Sequence, residues 1–322
     1  MKKVVLSVVA AIAFSATSAF AVDMPVKAAR APAAPAATNP WEVGIGAAVV
    51  SDYNFRGISQ SNKKPSFWAY LEPRYNISPT LQLYVGLGYE TIKFPNNAKS
   101  EVDFYAGFRP TFGAFAFDFG YWYYYYPGGT TFNGLGAATT CTNGAFFNGA
   151  CNTLKGNVSF SEWYAKVTYN VNDAFALGAN LFYDPSWLNS GAPGTYASLT
   201  AKYTLPSKMF LADWGMYMSG ELGHYWLGTT DAFYGTVAFP NGINYPDYTT
   251  WNLGVAFTYK VLTLDLRYYD TNLSKANCNV LTGDQGATFS AGAVSNINPS
   301  GLTSNWCRAT FVAKLAVDYV IK

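Results

Sequence analysis

The sequence predicts an all-β protein: a transmembrane antiparallel β-barrel of about 12 strands, preceded by a cleaved signal peptide. Three observations carry that prediction. Apolar and polar residues alternate with period 2 from Trp41 to the C-terminal "FVAKLAVDY", the pattern of strands whose two faces meet different surroundings. Aromatic residues make up 18% of the 322-residue chain and charged residues 12%, against about 25% charged in an ordinary soluble domain. The alternating segments reach an even count, and their connections alternate between short and long, which is the plan of an outer-membrane barrel.

The chain opens "MKKVVLSVVAAIAFSATSAFA". Two lysines, an apolar run and a small-residue "AFA" form a secretory signal, so residues 1–21 are expected to be removed. The run is short for a membrane-spanning helix, and no other stretch approaches the roughly 20 apolar residues such a helix needs. Residues 22–40 are Ala- and Pro-rich without periodicity and read as a flexible periplasmic leader. Residues 41–322 form the barrel. The formal charge of +2 includes Lys2 and Lys3, so the processed chain stands at +2 − 2 = 0. No basic patch points to nucleic acid.

The strands can be followed one by one. "WEVGIGAAV" sets Trp41, Val43, Ile45, Ala47 and Val49 on one face. "LQLYVGLGY", "EVDFYAGFR", "FAFDFGYWY" and "EWYAKVTY" each oppose an apolar row to a row rich in Gly, Tyr and charge. "FALGANLFY", "ASLTAKY", "WNLGVAFTY", "LTLDLRY" and the final segment repeat the pattern, and weaker segments near 66–75 and 214–226 complete the twelve. No helical period follows the signal. Short connections fall near 76–80, 110–114, 170–174, 206–213 and 260–261, with longer ones near 57–65, 127–160, 185–195, 227–248 and 271–309. The connection at 95–100 is short where a long one is expected.

Alternation alone does not say which face is inside, because a soluble barrel alternates too. Size decides. About eight strands already enclose a space that side chains can fill, and twelve strands with five bulky apolar residues each would overfill it. The apolar face therefore points outward, to outer-membrane lipid. Aromatic clusters at strand ends, such as "YWYYYY" at 121–126, suit the membrane–water interface. Read as a strand, "SDYNFRGISQ" (51–60) sends Tyr53 and Phe55 toward lipid or its interface and Asp52, Asn54 and Arg56 toward the lumen.

The segment "VSDYNFRGISQSNKKPSFW" and the later "LRYYDTNLS", with its Cys-containing loop and terminal strand, resemble the two ends of the TorF-type putative porins, a proteobacterial outer-membrane family. The resemblance is weaker through the middle, and the chain ends "DYVIK" rather than on an aromatic. It implies a small barrel assigned as a porin and supplies no catalytic residues.

The leading functional expectation is a porin or narrow channel in the bacterial outer membrane, passing small hydrophilic solutes or ions without a cofactor. Parity gives the lumen-side candidates Asp52, Arg56, Glu72, Arg74, Glu101, Asp103, Arg109, Asp118, Glu162, Lys166, Glu221, Asp265 and Arg267. Acids outnumber bases among them, a weak lean toward cations. Twelve strands lie between a filled barrel and an open porin, so the lumen is narrow or plugged, with 127–160 the expected plug. A barrel hydrolase would need an activated nucleophile or base, and the single histidine, His224, falls on the apolar face with Trp214 and Trp226. A structural or adhesive barrel with partner-binding loops is the alternative. Cys141, Cys151, Cys278 and Cys307 lie in loop-like stretches of an exported chain without a CxxC. That favours two disulfides, Cys141 with Cys151 and Cys278 with Cys307, over metal sites.

Overall fold

The computed structural model describes residues 39–134, 152–206 and 213–322, with the short strand pair Ser15–Ala16 and Val26–Lys27. The signal, most of the leader and the Cys141–Cys151 pairing lie outside these residues. Twelve antiparallel strands form the barrel: β1 Trp41–Val50, β2 Ser66–Ser78, β3 Leu81–Thr91, β4 Ser100–Phe112, β5 Phe115–Tyr125, β6 Phe160–Asn170, β7 Phe175–Asp184, β8 Gly194–Thr204, β9 Trp214–Leu227, β10 Tyr248–Tyr259, β11 Leu262–Thr271 and β12 Thr310–Ile321. Each strand pairs with its chain neighbours. β12 closes the ring on β1, from Lys314 opposite Val50 to Ile321 opposite Val43. Short turns join the strands at one end, and the longer connections gather at the other.

The two faces sort as the alternation implies. Val85 is 56% exposed, Leu253 63% and Leu199 66%, all on the outer surface. Inward neighbours such as Tyr84, Trp122 and Tyr225 are buried. Among the twelve barrel strands every Asp, Glu, Lys and Arg sits at an inward position except Asp270, which lies at the loop end of β11 and takes a hydrogen bond from Tyr268. Rings collect in two outer belts. At the short-turn end Trp41 packs edge-on to Tyr75, Phe115 stacks on Tyr169, and Trp214 meets Tyr259. At the loop end Tyr121 meets Trp163, and Tyr268 meets Phe311. On β5 and β6 the rings of the two belts, Phe115 with Tyr121 and Trp163 with Tyr169, stand six residues apart, roughly 15 Å along the barrel axis for strands tilted 35–45°.

The inner face is built from tyrosines laid across glycines. The Tyr105 ring covers Gly86, Tyr164 covers Gly120, and Tyr196 covers Gly223. A Cβ at those glycines would fall 1.9, 2.4 and 2.1 Å from the nearest atom of the respective tyrosine side chains. Each glycine therefore leaves the room its neighbour's ring occupies, which explains why this face is rich in both residues.

Two expectations need correction. The stretch 51–60 is not wall. After β1 the chain turns inward, and residues 52–61 are all buried. Tyr53 and Phe55 are 3% and 7% exposed and lie inside the barrel rather than against lipid. Alternation in a two-stranded hairpin looks the same as alternation in a wall strand. Second, one short helix exists, α1 (Lys275–Thr282), in the β11–β12 connection. The Ser274 side chain caps its start, and Gly283 ends it in the left-handed conformation. Eight residues are too few to show a helical period. The expected plug within 127–160 falls largely on 135–151, which lie outside the described residues; the described ends pack against other loops. Phe132–Asn133 pairs with Thr153–Leu154. Asn152 donates to the Asp284 carbonyl, and Lys155 to the Asn189 carbonyl and Asp231 carboxylate, so this connection joins the outer loops.

The outward face yields a direct test. Leu253→Arg or Val85→Arg should cost about 2–4 kcal/mol of folding stability in lipid vesicles, and Leu253→Ala clearly less. Equal losses in urea unfolding would mean these side chains do not face lipid.

Candidate functional site

The interior is the candidate site, and its centre is the hairpin formed by residues 51–60. Asn54–Phe55 pairs with Ile58–Ser59. Arg56 (φ 47°) and Gly57 (φ 85°) make the two-residue turn, and positive φ at both positions is the type I′ geometry that matches strand twist. The Gly57 N–H donates to Asn54 Oδ1 at 2.9 Å. At the base, Asp52 Oδ1 accepts from Ser59 Oγ at 2.5 Å and Ser61 Oγ at 3.0 Å. Burial pushes the Asp52 carboxyl above its usual range, and these two hydroxyls pull against that. A Cβ at Gly57 would lie 2.2 Å from Thr271 and 2.5 Å from Thr250, so the turn is seated directly on β11 and β10.

The tip crosses the lumen. Arg56 forms a bidentate pair with Glu162 on β6, at 2.6 and 2.9 Å, five strands away around the ring. Glu162 also accepts from Tyr124 at 3.0 Å. The guanidinium lies 4.4–4.9 Å from the ring centres of Phe55, Phe182, Tyr196 and Tyr225. A buried pair this well satisfied is costly to break, by about 3–5 kcal/mol when one partner is lost, because the other charge is left stranded.

Below and beside the hairpin, wall charges form two further networks. Glu72 takes Arg109 at 2.8 and 3.2 Å and also pairs with Arg74. Arg109 reaches Asp118 at 3.1 Å and lies over the Tyr84 ring at 3.7 Å. Tyr84 donates to Asp118 at 2.5 Å and bonds the Tyr164 hydroxyl. Lys166 lies over the Tyr164 and Phe182 rings. Across the barrel Arg267 joins Asp265 (2.9 Å), Asn252 (2.7 Å) and Ser219 (2.7 Å). Glu221 receives Asn252 and Tyr196.

The structure thus puts Glu72, Arg74, Glu101, Asp103, Arg109, Asp118, Glu162, Lys166, Glu221, Asp265 and Arg267 on the inner wall. Asp52 and Arg56 stand on the hairpin within it. Glu42, Glu90, Asp184, Lys202, Lys314 and Asp318 also face inward, and the same parity rule points to all six. Apart from the partly buried Glu221, the inner-wall candidates are 0–8% exposed, so side chains and the hairpin close the lumen. His224 faces outward, against Trp226 and within 2.9 Å of Thr249 Oγ1.

The last long connection braces the hairpin. Ser59 N–H donates to the Trp306 carbonyl at 3.0 Å, and Trp306 Nε1 donates to Asn62 at 3.0 Å. Cys307, next in the chain, is bonded to Cys278 of α1. Thr271, which the hairpin turn touches, donates to the Cys307 carbonyl at 2.8 Å.

Two predictions follow from this seating. Gly57→Ala introduces both a clash and positive-φ strain of about 1–2 kcal/mol. Trypsin cleavage after Arg56 in the folded protein should rise about tenfold, since cleavage tracks the open population; an unchanged rate would mean the turn is not held against β10 and β11. Reducing Cys278–Cys307 should speed hydrogen exchange over residues 275–282 by about tenfold or more, within the roughly 3 kcal/mol bound of the chain-entropy model, with the wall strands unaltered. Equal acceleration in β10 and β11 would show that the bond holds the barrel itself.

The comparisons with known proteins add a family. The family described as "Bacterial protein of unknown function (Gcw_chp)" matches residues 34–294. No curated protein matches the chain. Among solved structures, the KdgM porin is similar at 9% identity and TM-score 0.41, covering 87% of this chain and 99% of its own. The NanC porin is similar at 10% identity and TM-score 0.40, covering 87% and 98%. OmpT, an outer membrane protein of Vibrio cholerae, is similar at 10% identity and TM-score 0.33, covering 87% and 98%. The family match takes in most of the barrel, from before β1 into the last long connection, and the chain belongs to this Gcw_chp family of bacterial proteins of unknown function.

Proposed function

We propose that the protein is a bacterial outer-membrane channel, closed at rest, through which small hydrophilic solutes or ions pass when the 51–60 hairpin leaves the lumen. The observation that carries this reading is the hairpin held across a polar, charge-lined interior by the Arg56–Glu162 pair. A purely structural barrel has no need of a removable element at its centre. The outward apolar face and its two ring belts support the membrane location. The stretch that resembles the TorF-type porins, 50–68, contains the hairpin itself, which agrees with a porin-type role. Inward acids exceed inward bases, which favours a weak cation preference once the path is open.

A second reading has its own support. The inner wall is filled and hydrogen-bonded even beyond the hairpin, with Arg109, Tyr84 and Tyr164 meeting in its middle. That favours a structural or adhesive barrel that never conducts. A hydrolase reading draws no support from the single histidine: His224 faces outward, against Trp226 and Thr249.

Planar-bilayer recording separates the two. The wild type should be mostly closed. Arg56→Ala strands Glu162, so a loss of 3 kcal/mol or more in the closed state should raise open probability about 100-fold at 1.36 kcal/mol per decade. Arg56→Ala with Glu162→Gln should open as well, because no pair remains to hold the tip. Silence in all three proteins would sink the channel reading in favour of the structural one.

A further inference from the structure

Three carboxylates on the inner wall, Glu90, Glu101 and Asp103, lack the arginine partner that Glu72, Asp118, Glu162 and Asp265 hold. Glu90 at the loop end of β3 stands directly opposite Glu101 on β4, and Asp103 is the next inward residue of β4. Like charges opposed across two strands destabilise the pair. Among the described residues no Lys or Arg forms an ion pair with Glu90, Glu101 or Asp103.

The geometry is that of a coordination shell. One oxygen from each residue lies within 4.8 Å of the others. Oxygens on opposite sides of a calcium ion, each 2.3–2.6 Å from it, are about 4.6–5.2 Å apart. Two oxygens of the cluster have nothing to bond: Glu90 Oε2 and Asp103 Oδ1 are buried without a hydrogen-bond partner, and Asp103 is 3% exposed. Buried acceptors left unmet are rare, and an ion is one of the few things that satisfies them.

We propose that Glu90, Glu101 and Asp103 bind a hard divalent cation of the calcium class beneath the 51–60 hairpin. The donors are all carboxylate oxygens, with no His or Cys, which selects a hard ion over zinc or copper. Calcium fits better than magnesium, because a set of three carboxylates suits calcium, whereas magnesium is usually held by one or two carboxylates and keeps several waters. The ion also reaches the hairpin. Tyr53 donates its hydroxyl to Glu101 Oε1 at 2.7 Å, so neutralising and ordering these carboxylates fixes the side of the hairpin that faces away from the Arg56–Glu162 contact.

The test uses the full-length processed protein, refolded in detergent free of lipopolysaccharide and stripped with EDTA. Calcium at a hundredfold excess over its Kd should raise the melting temperature by about 5 °C. Terbium should bind in its place and luminesce on excitation of Trp122 and Tyr126, which lie beside the cluster, and calcium should quench that emission by competition. Glu90→Gln with Asp103→Asn should abolish both responses. A wild type that neither sensitises terbium nor responds to calcium overturns the proposal, and that arm needs no variant to fold. So does a double variant that keeps both responses, or one that is stabilised by the substitutions while the wild type ignores calcium, which would mean the carboxyls share protons instead. The full shift with magnesium would overturn the calcium class.

Discussion

Backbone pairing across the seam between β12 and β1 is the constraint from which the rest of the molecule follows. A sheet whose outer face is apolar has nowhere to leave an unpaired edge if that face meets lipid, since each orphaned N–H or C=O costs several kcal/mol there. Closure removes the edges. It also fixes the strand number and with it the enclosed volume, which exceeds what one layer of small inward side chains would fill. The chain fills it in two ways. Tyrosines reach over the glycines of neighbouring strands, as Tyr105 does over Gly86, and the first long connection folds back into the remaining space.

The charges obey the same constraint. Taken from water into a filled lumen, each must meet a partner or be stranded. Arg109 bridges Glu72 and Asp118, Arg267 holds Asp265, and Arg56 brings to Glu162 a partner that the wall does not supply. The interior is thus a set of local neutralisations rather than a lined void, and the hairpin is one member of that set. The Glu90, Glu101 and Asp103 corner departs from it, and Asp52 and Asp184 meet hydroxyls rather than a base.

Much of this was legible in the sequence, and the failures have a physical origin. Wall strands announce themselves because their period persists for ten or more residues and because Val85, Leu199 and Leu253 alternate with Tyr, Gly or charge. Inward parity follows directly, and it reaches Lys314 and Asp318 as readily as Glu72. The hairpin misled because five residues of alternation carry no information about where a short strand pairs. One clue was present: Arg56-Gly57 sits between two alternating pairs, the spacing of a two-residue turn, although Arg is an unusual occupant of positive φ. Which acid meets which base was not readable at all. Arg56 and Glu162 are 106 positions apart, and only closure of the ring brings β6 across from β1. The Cys278–Cys307 bond was readable because both residues fall within one connection.

The bracing of the hairpin has a consequence for the order of assembly. The hairpin follows the first wall strand, yet its supports are Trp306, Asn62 beside it, and Thr271 locked to Cys307. These belong almost entirely to the last stretch of the chain before β12. The seat that Trp306 and Thr271 give the N-terminal hairpin is complete only once the C-terminal segment has arrived. The hairpin's full bracing therefore comes no earlier than the arrival of the last connection, whatever contacts its tip has already made with Glu162.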